Sequence, residues 1–344
     1  MLTFISIPNS VTEIGDYAFE ECSSLTNITI SNSATKIGEC VFSGCPSLTN
    51  ITNSNCVTKI GSDAFPSNCN GDIITTNFNV HSMEDYEKTE RIGQGNQGIV
   101  WKCIRKSDRK IFAIKEIPYQ EEKLQQCINE IKTLSQFRSK FIVKYVEHFI
   151  DCVYEKKYLN IVMEFCESGD LSTYIDKMKK NNTHIEEKKI WRFLVKISCG
   201  LNECHSKNII HRDIKPENIF LFSGDNFKLG DFGFAREIKD QDASTLVGTP
   251  YNIAPEVVER KNYNEKCDIW GLGCTVYEMA TFHPPFESKE GIFDLLHKIQ
   301  NDDIKRNDFP YSDNLFNLVK SMLEKEPSKR PSIKEILEIS IYNL

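Results

Sequence analysis

Over the first eighty residues the apolar positions return at a fixed interval. Thr12-Glu13-Ile14-Gly15-Asp16-Tyr17-Ala18-Phe19 recurs as Thr35-Lys36-Ile37-Gly38-Glu39-Cys40-Val41-Phe42, and again as Thr58-Lys59-Ile60-Gly61-Ser62-Asp63-Ala64-Phe65, 23 residues apart each time. Between these blocks, Cys22-Ser23-Ser24-Leu25-Thr26-Asn27-Ile28 matches Cys45-Pro46-Ser47-Leu48-Thr49-Asn50-Ile51. A period in the twenties marks a solenoid, because a single turn cannot bury its apolar face without a neighbour stacked on it. Ile14, Phe19, Leu25, Ile28 and Ile30 are the predicted inward set of one turn, and the alternation from Leu25 to Ile30 predicts a short strand.

Beyond Pro66 the period stops. Residues 67–83 are rich in Asn, Gly, Thr and Ser, lack an apolar face, and read as a linker. The pattern then changes character. Ile99-Val100-Trp101-Lys102-Cys103 and Phe112-Ala113-Ile114-Lys115 have strand composition, and Leu159 to Cys166 is an apolar run of strand length. Leu124, Cys127/Ile128, Ile131 and Leu134 follow helical spacing and predict an amphipathic helix over 121–137; Ile190 to His205 predicts a second. The expected organisation is a repeat segment over 2–66, a linker over 67–83 and an α+β domain over 86–344.

Composition adds mainly exclusions. A chain of 344 residues with 40% apolar content can bury two ordinary cores. Residues 1–82 carry two lysines against seven acids, and the formal net charge of the whole is −7 with no basic stripe. Net charge therefore predicts neither a nucleic-acid nor a membrane partner. No apolar run approaches the length of a membrane span, and no N-terminal segment reads as a signal peptide. The thirteen cysteines are scattered without a C-x-x-C pair, which predicts reduced, mostly buried thiols and no zinc. The expected location is cytoplasmic, with the nucleus or cytoskeleton as alternatives, and not secreted.

The candidate chemistry is concentrated in His211-Arg212-Asp213-Ile214-Lys215-Pro216-Glu217-Asn218 and Asp231-Phe232-Gly233. A carboxylate, a lysine, an amide and a second carboxylate follow one another in an order that phosphoryl transfer can use. Asp213 can receive a hydroxyl proton, and Lys215 can neutralise charge on a moving phosphoryl group. Asn218 and Asp231 can hold magnesium through oxygen. Upstream, Ile92-Gly93-Gln94-Gly95-Asn96-Gln97-Gly98-Ile99-Val100 is G-x-G-x-x-G-x-V. A dinucleotide-binding turn shares that string but opens a helix, whereas the residues after Gly98 have strand character. Glycines at a hairpin tip let backbone amides approach phosphate oxygens without a Cβ clash.

H-R-D-x-K-x-x-N followed by D-F-G, with the glycine string upstream, resembles the protein kinases. The resemblance implies a bilobal fold, a β-rich N-lobe and an α-helical C-lobe, here preceded by a short solenoid. It implies ATP and Mg²⁺ as cofactors, with Mn²⁺ as an alternative, and protein substrates. Residues 92–100, Ala113 and Lys115 would meet the nucleotide. Glu130 would pair with Lys115; Glu121 and Glu122 are alternatives on spacing. Met163 would be the gatekeeper, the backbone of Glu164 and Cys166 would bind the base, and Asp170 would either reach the ribose or cap the following helix.

Lys215 resembles the serine/threonine rather than the tyrosine kinases. Gly248-Thr249-Pro250 resembles the substrate-positioning turn, with Thr249 near Asp213. Thr245, with Ser244 as its rival, stands where relatives carry an activating phosphate, which could pair with Arg212. Glu256 is expected to pair with Arg330, and Asp268 to brace the catalytic loop backbone. Ile209 to Leu221, Leu229 to Arg236 and Cys267 to Met279 resemble the NIMA-related (NEK) group, although Asn252-Ile253-Ala254 departs from its wording. The repeats, with Ile5-Ser6-Ile7-Pro8, resemble BspA-like leucine-rich repeats, which implies a protein partner for them. The leading expectation is a non-specific serine/threonine protein kinase. The competing one is a pseudokinase scaffold, which would need a broken catalytic position.

Overall fold

The computed structural model describes residues 3–8, 10–30, 34, 36–48, 50–53, 59–66, 82–95, 98–118, 130–153, 156–233, 235–237, 250–259, 261 and 263–344. The chain divides into two compact units, Met1–Glu122 with Val146–Met163, and Lys123–Tyr145 with Glu164–Leu344.

In the first unit the repeat becomes two narrow parallel sheets. Strands β1 (Phe4–Ser6), β3 (Asn27–Ile30) and β5 (Asn50–Asn53) form one; β2 (Glu13–Ile14), β4 (Lys36–Ile37) and β6 (Lys59–Ile60) form the other. Ile5 pairs with Ile28 and Ile28 with Ile51, so equivalent positions of successive turns lie side by side. The sequence predicts one strand per turn; the second arises because two residues of each Ile-Gly block bond across turns. The Gly38 amide donates to Ile14 O and the Gly61 amide to Ile37 O, both at 2.8 Å. A Cβ on Gly38 would stand 2.5 Å from the Asp16 backbone nitrogen, so this close approach requires glycine.

Stacking also explains the aromatic position. Phe42 lies between Phe19 and Phe65, with centroids 5.5 and 5.4 Å away and rings nearly parallel. Ile14, Leu25, Ile28 and Ile30 are buried as expected, and Phe19 is half-buried. Each turn bends at a left-handed residue: Tyr17 (φ 60°), Cys40 (φ 50°) and Asp63 (φ 53°) occupy the same repeat position.

The rest of that unit is a five-stranded antiparallel sheet in the order β10-β11-β9-β8-β7, from β7 (Tyr86–Gly95), β8 (Gly98–Arg105), β9 (Ile111–Pro118), β10 (Tyr145–Val153) and β11 (Lys156–Glu164). Tyr86, Cys103, Phe112, Ile114, Phe149 and Val162 form its core. Ser82 caps a short 3-10 turn at Met83–Asp85, and the Met83 amide donates to Asp151 Oδ2 at 3.0 Å. Residues the composition assigned to the linker thus begin this sheet's structure. The remainder of the predicted linker, 67–81, lies outside the described residues.

The second unit is helical. Helix α1 is described over residues 130–135, and the other helices are α2 (Leu171–Lys180), α3 (Glu187–Ser206), α4 (Pro255–Val258), α5 (Lys266–Thr281), α6 (Ile292–Asn301), α7 (Asp313–Met322) and α8 (Ile333–Tyr342). Residues 121–129 of the predicted amphipathic helix lie outside the described residues; Ile131 and Leu134 are buried. Helix α3 buries Ile190, Phe193, Leu194, Ile197 and Leu201 on one stripe, whereas α5 is buried almost all round and runs through the core. Short strands β12 (Ile209–Ile210), β13 (Ile219–Phe222), β14 (Asn226–Leu229) and β15 (Arg236–Glu237) flank the candidate loops at 211–218 and 231–233 as the pairs β12-β15 and β13-β14.

Glu256 and Arg330 form the expected pair, two parallel bonds of 2.7 Å with both residues buried. Arg330 also lies over the Trp270 ring at 5.0 Å and donates to Glu324, Lys266 and Lys325 carbonyls. Cys22, Cys45, Cys103, Cys204 and Cys274 are among the cysteines that are free thiols. Removing one member of a buried ion pair strands the other charge, at about 3–5 kcal/mol. Arg330→Ala is therefore expected to lower the melting temperature by on the order of 10 °C in a thermal scan, and Arg330→Met with Glu256→Leu to recover most of the loss.

Candidate active site

The second unit assembles the catalytic loop within itself. After β12 the backbone enters the left-handed region at Arg212 (φ 68°), which turns the chain so that Asp213 and Asn218 face each other. Asn218 Nδ2 donates to Asp213 Oδ2 and to its carbonyl oxygen, each at 2.8 Å. Lys215 Nζ lies 2.9 Å from the same Asp213 Oδ2. Asp213 Oδ1 keeps no partner among the described residues, so one oxygen is held and the other is offered. Pro216 opens the 3-10 turn Pro216–Asn218, where its missing amide costs nothing.

The Asp231-Phe232-Gly233 loop is tied to this frame by backbone. The Gly230 amide donates to Asn218 O at 2.9 Å, and His211 Nε2 donates to Gly230 O at 3.0 Å. Asp231 is left-handed (φ 54°) and accepts the Gly233 amide at 3.3 Å. The buried Phe232 ring meets His211 at 4.8 Å and Phe137 at 5.4 Å. Phe137 follows α1, whose Glu130 is buried.

Beneath both loops lies Asp268 of α5, fully enclosed. Its Oδ2 accepts the His211 amide at 3.0 Å and His205 Nε2 at 2.8 Å, and its Oδ1 accepts the Arg212 amide at 2.8 Å. Burial pushes this carboxyl upward, but the His205 bond, the His205 and His211 charges and the His211 amide outweigh it, and the group stays below the usual aspartate range. The resemblance of the motifs implied the Asp268 brace but not His205, whose only signal is its place in the last turn of α3. Sequence reading also missed Tyr263, whose hydroxyl accepts Arg212 NH1 at 2.6 Å. No periodicity points to that residue.

The segment after β11 is fixed by Glu164. Its carboxylate binds Lys228 Nζ at 2.6 and 2.8 Å and the Lys144 amide at 2.7 Å, while its own amide donates to Lys144 O. Burial pushes the Cys166 thiol up to about 12. Asp170 Oδ1 accepts the Thr173 amide at 2.7 Å, so the helix-cap alternative is the observed one for that oxygen.

The first unit carries the other candidates. Residues Gly93 to Gly95 and Gly98 to Val100 form the end of the β7–β8 hairpin, antiparallel and in strands as the sequence predicted, with Ile92 exposed. Gly98 has φ 149°, and a Cβ there would lie 2.2 Å from Glu116 O. Ala113 and Lys115 on β9 are buried, and Met163 is half-buried. Asn96, Gln97, Glu121, Glu122, Ser244, Thr245 and Thr249 lie outside the described residues.

Comparison with known proteins agrees with these motifs. The protein kinase domain model matches residues 86–341. The chain belongs to the protein kinase family. The BspA type leucine rich repeat region matches residues 1–88 in six copies, a longer span than the 2–66 read from the period.

The chain is similar to the probable serine/threonine-protein kinase nek2 of Dictyostelium discoideum, 39% identical over 268 residues that cover 76% of this chain and 63% of the relative. Similarity to human Nek2 is 40% over 268 residues, covering 74% and 59%. For the G2-specific protein kinase nimA of Emericella nidulans it is 34% over 292 residues, covering 76% and 41%. The chain thus spans about three fifths of the first two. These relatives are Nek and NimA kinases, the group that the loop motifs resemble.

One carboxylate near the loop is out of its usual range. Glu278 of α5 is pushed up to about 7, first by burial and then by the charges of Glu217 and Asp176, against Lys179. The folded state holds this proton to a higher pH than the unfolded chain, where glutamate titrates at 4.5. The stability contribution is therefore intact below pH 4.5 and is lost as pH rises to about 7. Glu278→Gln is expected to match the parent near pH 4 and to exceed its unfolding free energy above pH 7 by on the order of 3 kcal/mol, measured by denaturant titration at both pH values.

Proposed function

We propose that the chain is a serine/threonine protein kinase that transfers the γ-phosphoryl group of ATP to hydroxyls of protein substrates. The observation that carries this reading is the Asp213–Lys215–Asn218 arrangement, in which one carboxylate oxygen is held by an amide and an ammonium while the other is offered. Asp213 Oδ1 orients the attacking hydroxyl and takes its proton. Lys215, already beside Asp213, meets the negative charge of the transferred group. Asn218 spends its Nδ2 on Asp213 and offers Oδ1 as a hard oxygen donor, and Asp231 supplies the second. This oxygen set fits Mg²⁺, or Mn²⁺, which prefers a few protein oxygens alongside phosphate and water. Bound there, the ion would neutralise phosphate charge.

The glycine hairpin and Lys115 complete the nucleotide-binding set, with Glu130 as the expected partner of Lys115. Ala113, Met163 and the backbone of Glu164 and Cys166 would receive the base. Asp170 keeps Oδ2 for the ribose. Lys115, Glu130, Asp213, Asn218 and Asp231 all stand in the sequence, which argues against a pseudokinase. We further propose phosphorylation at Thr245, with Ser244 as the alternative, as a switch acting through Arg212, and Thr249 as the residue that positions the acceptor. The relatives' printed names support the serine/threonine preference. The repeats are proposed to bind a protein partner, and the location to be cytoplasmic.

Asp213→Asn keeps the loop's size and bonds but removes the proton acceptor. Phosphate incorporation into a serine peptide is expected to fall by about 10²–10⁴-fold while nucleotide affinity stays within a few fold. A radiolabelled transfer assay with MgATP, paired with fluorescent-nucleotide titration, checks both. Equal incorporation by the variant and the parent refutes the assignment of Asp213.

A further inference from the structure

Helix α3 presents a second concentration of charge that the proposed chemistry does not use. Lys189, Arg192 and Lys196 recur at intervals of three and four and share one face of the helix. The β13–β14 turn brings Asp225 and Asn226 against that face. Asp225 is consumed there: Oδ1 lies 2.8 Å from Lys189 Nζ and Oδ2 lies 3.1 Å from Arg192 NH1. Lys196 has no carboxylate partner among the described residues and donates to Asn226 Oδ1.

Lys140, exposed in the segment before β10, adds a fourth cation. Burial first, and then the like charges of Lys140 and Arg192, hold the Lys196 ammonium below its usual range, with Asp225 acting the other way. A further acid on this face, Glu203, accepts the Ser139 hydroxyl at 2.6 Å. Four cations therefore meet two carboxylates, and Arg192 remains 43% exposed on its side chain. None of these residues belongs to the catalytic or magnesium loop.

We infer that this face of α3 is a docking surface for an acidic, extended segment of a protein partner. From Lys189 to Lys196 the helix rises about 10 Å. In an extended peptide, side chains on one face repeat at about 6.6 Å, so two or three carboxylates match that length. The surface is too short for the phosphate track of a duplex, and the chain as a whole is net negative at −7, which opposes polyanions of high charge density. The surface acts independently of turnover, so its test reads binding directly and stands apart from the kinase assignment.

The experiment uses the full chain and a fluorescein-labelled peptide of alternating Glu and Gly, followed by fluorescence anisotropy at low and high salt. Lys140→Glu and Lys196→Glu are each expected to weaken binding by about fivefold, the scale of one exposed ion pair turned repulsive. Lys320→Glu, exposed on α7, is the control and is expected to bind as the parent does. High salt is expected to weaken the parent. Lys140 lies on the surface, so its variant decides the matter even if Lys196→Glu fails to fold. Absence of peptide binding overturns the inference, as does equal binding by all three variants. Tighter binding of a single-stranded oligonucleotide or a phosphatidylserine vesicle through the same lysines also overturns it.

Discussion

The course of the chain from His211 to Gly233 depends on one buried carboxylate. Asp268 sits on a helix enclosed on nearly every side, and its two oxygens accept the His211 and Arg212 amides and His205. A carboxylate out of water is costly unless its lone pairs are met, so the backbone can satisfy it in only one course. In that course Arg212 is left-handed and Asp213 lies beside Lys215 and Asn218. The loop at Asp231-Phe232-Gly233 is then set by the bonds of Asn218 and His211 to Gly230. The positions of Asp213, Lys215 and Asn218 thus trace back to a carboxylate outside the proposed site.

Much of this was legible in the sequence because the chemistry leaves little freedom. Asp213, Lys215, Asn218 and Asp231 stand out as candidates by type and order, and the Glu256–Arg330 pair and the Asp268 brace, which the kinase resemblance implied, are the contacts observed. What stayed hidden was tertiary. His205 and Tyr263 act through contacts between elements far apart in sequence. Asp170 left two readings open, because an N-cap and a ribose ligand need the same side chain, and only geometry shows Oδ1 on the Thr173 amide. The role of Glu164 as an ionic clasp on Lys228 has no local signal, since strand and bend residues are commonly charged.

The repeats show the opposite balance. Their period and inward residues were plain, because stacking demands the same side chain at the same position in every turn. The second sheet was not plain, because two-residue strands leave no alternation to detect. Nor did the left-handed positions stand out, since Tyr17, Cys40 and Asp63 share no residue type. In that segment side-chain identity records packing, and backbone strain is absorbed without a glycine signature.

The most direct test of this account replaces Asp268 with Asn, which keeps the shape but removes the charge that gathers the loop amides. Amide hydrogen exchange is followed at His211 and Arg212 alongside peptide phosphorylation. The account predicts that both amides lose protection, and that turnover falls by about a hundredfold, the scale of a displacement near 1 Å at the reacting groups, while the global melting transition persists. Unchanged protection of the two amides with turnover at the parental level would contradict it.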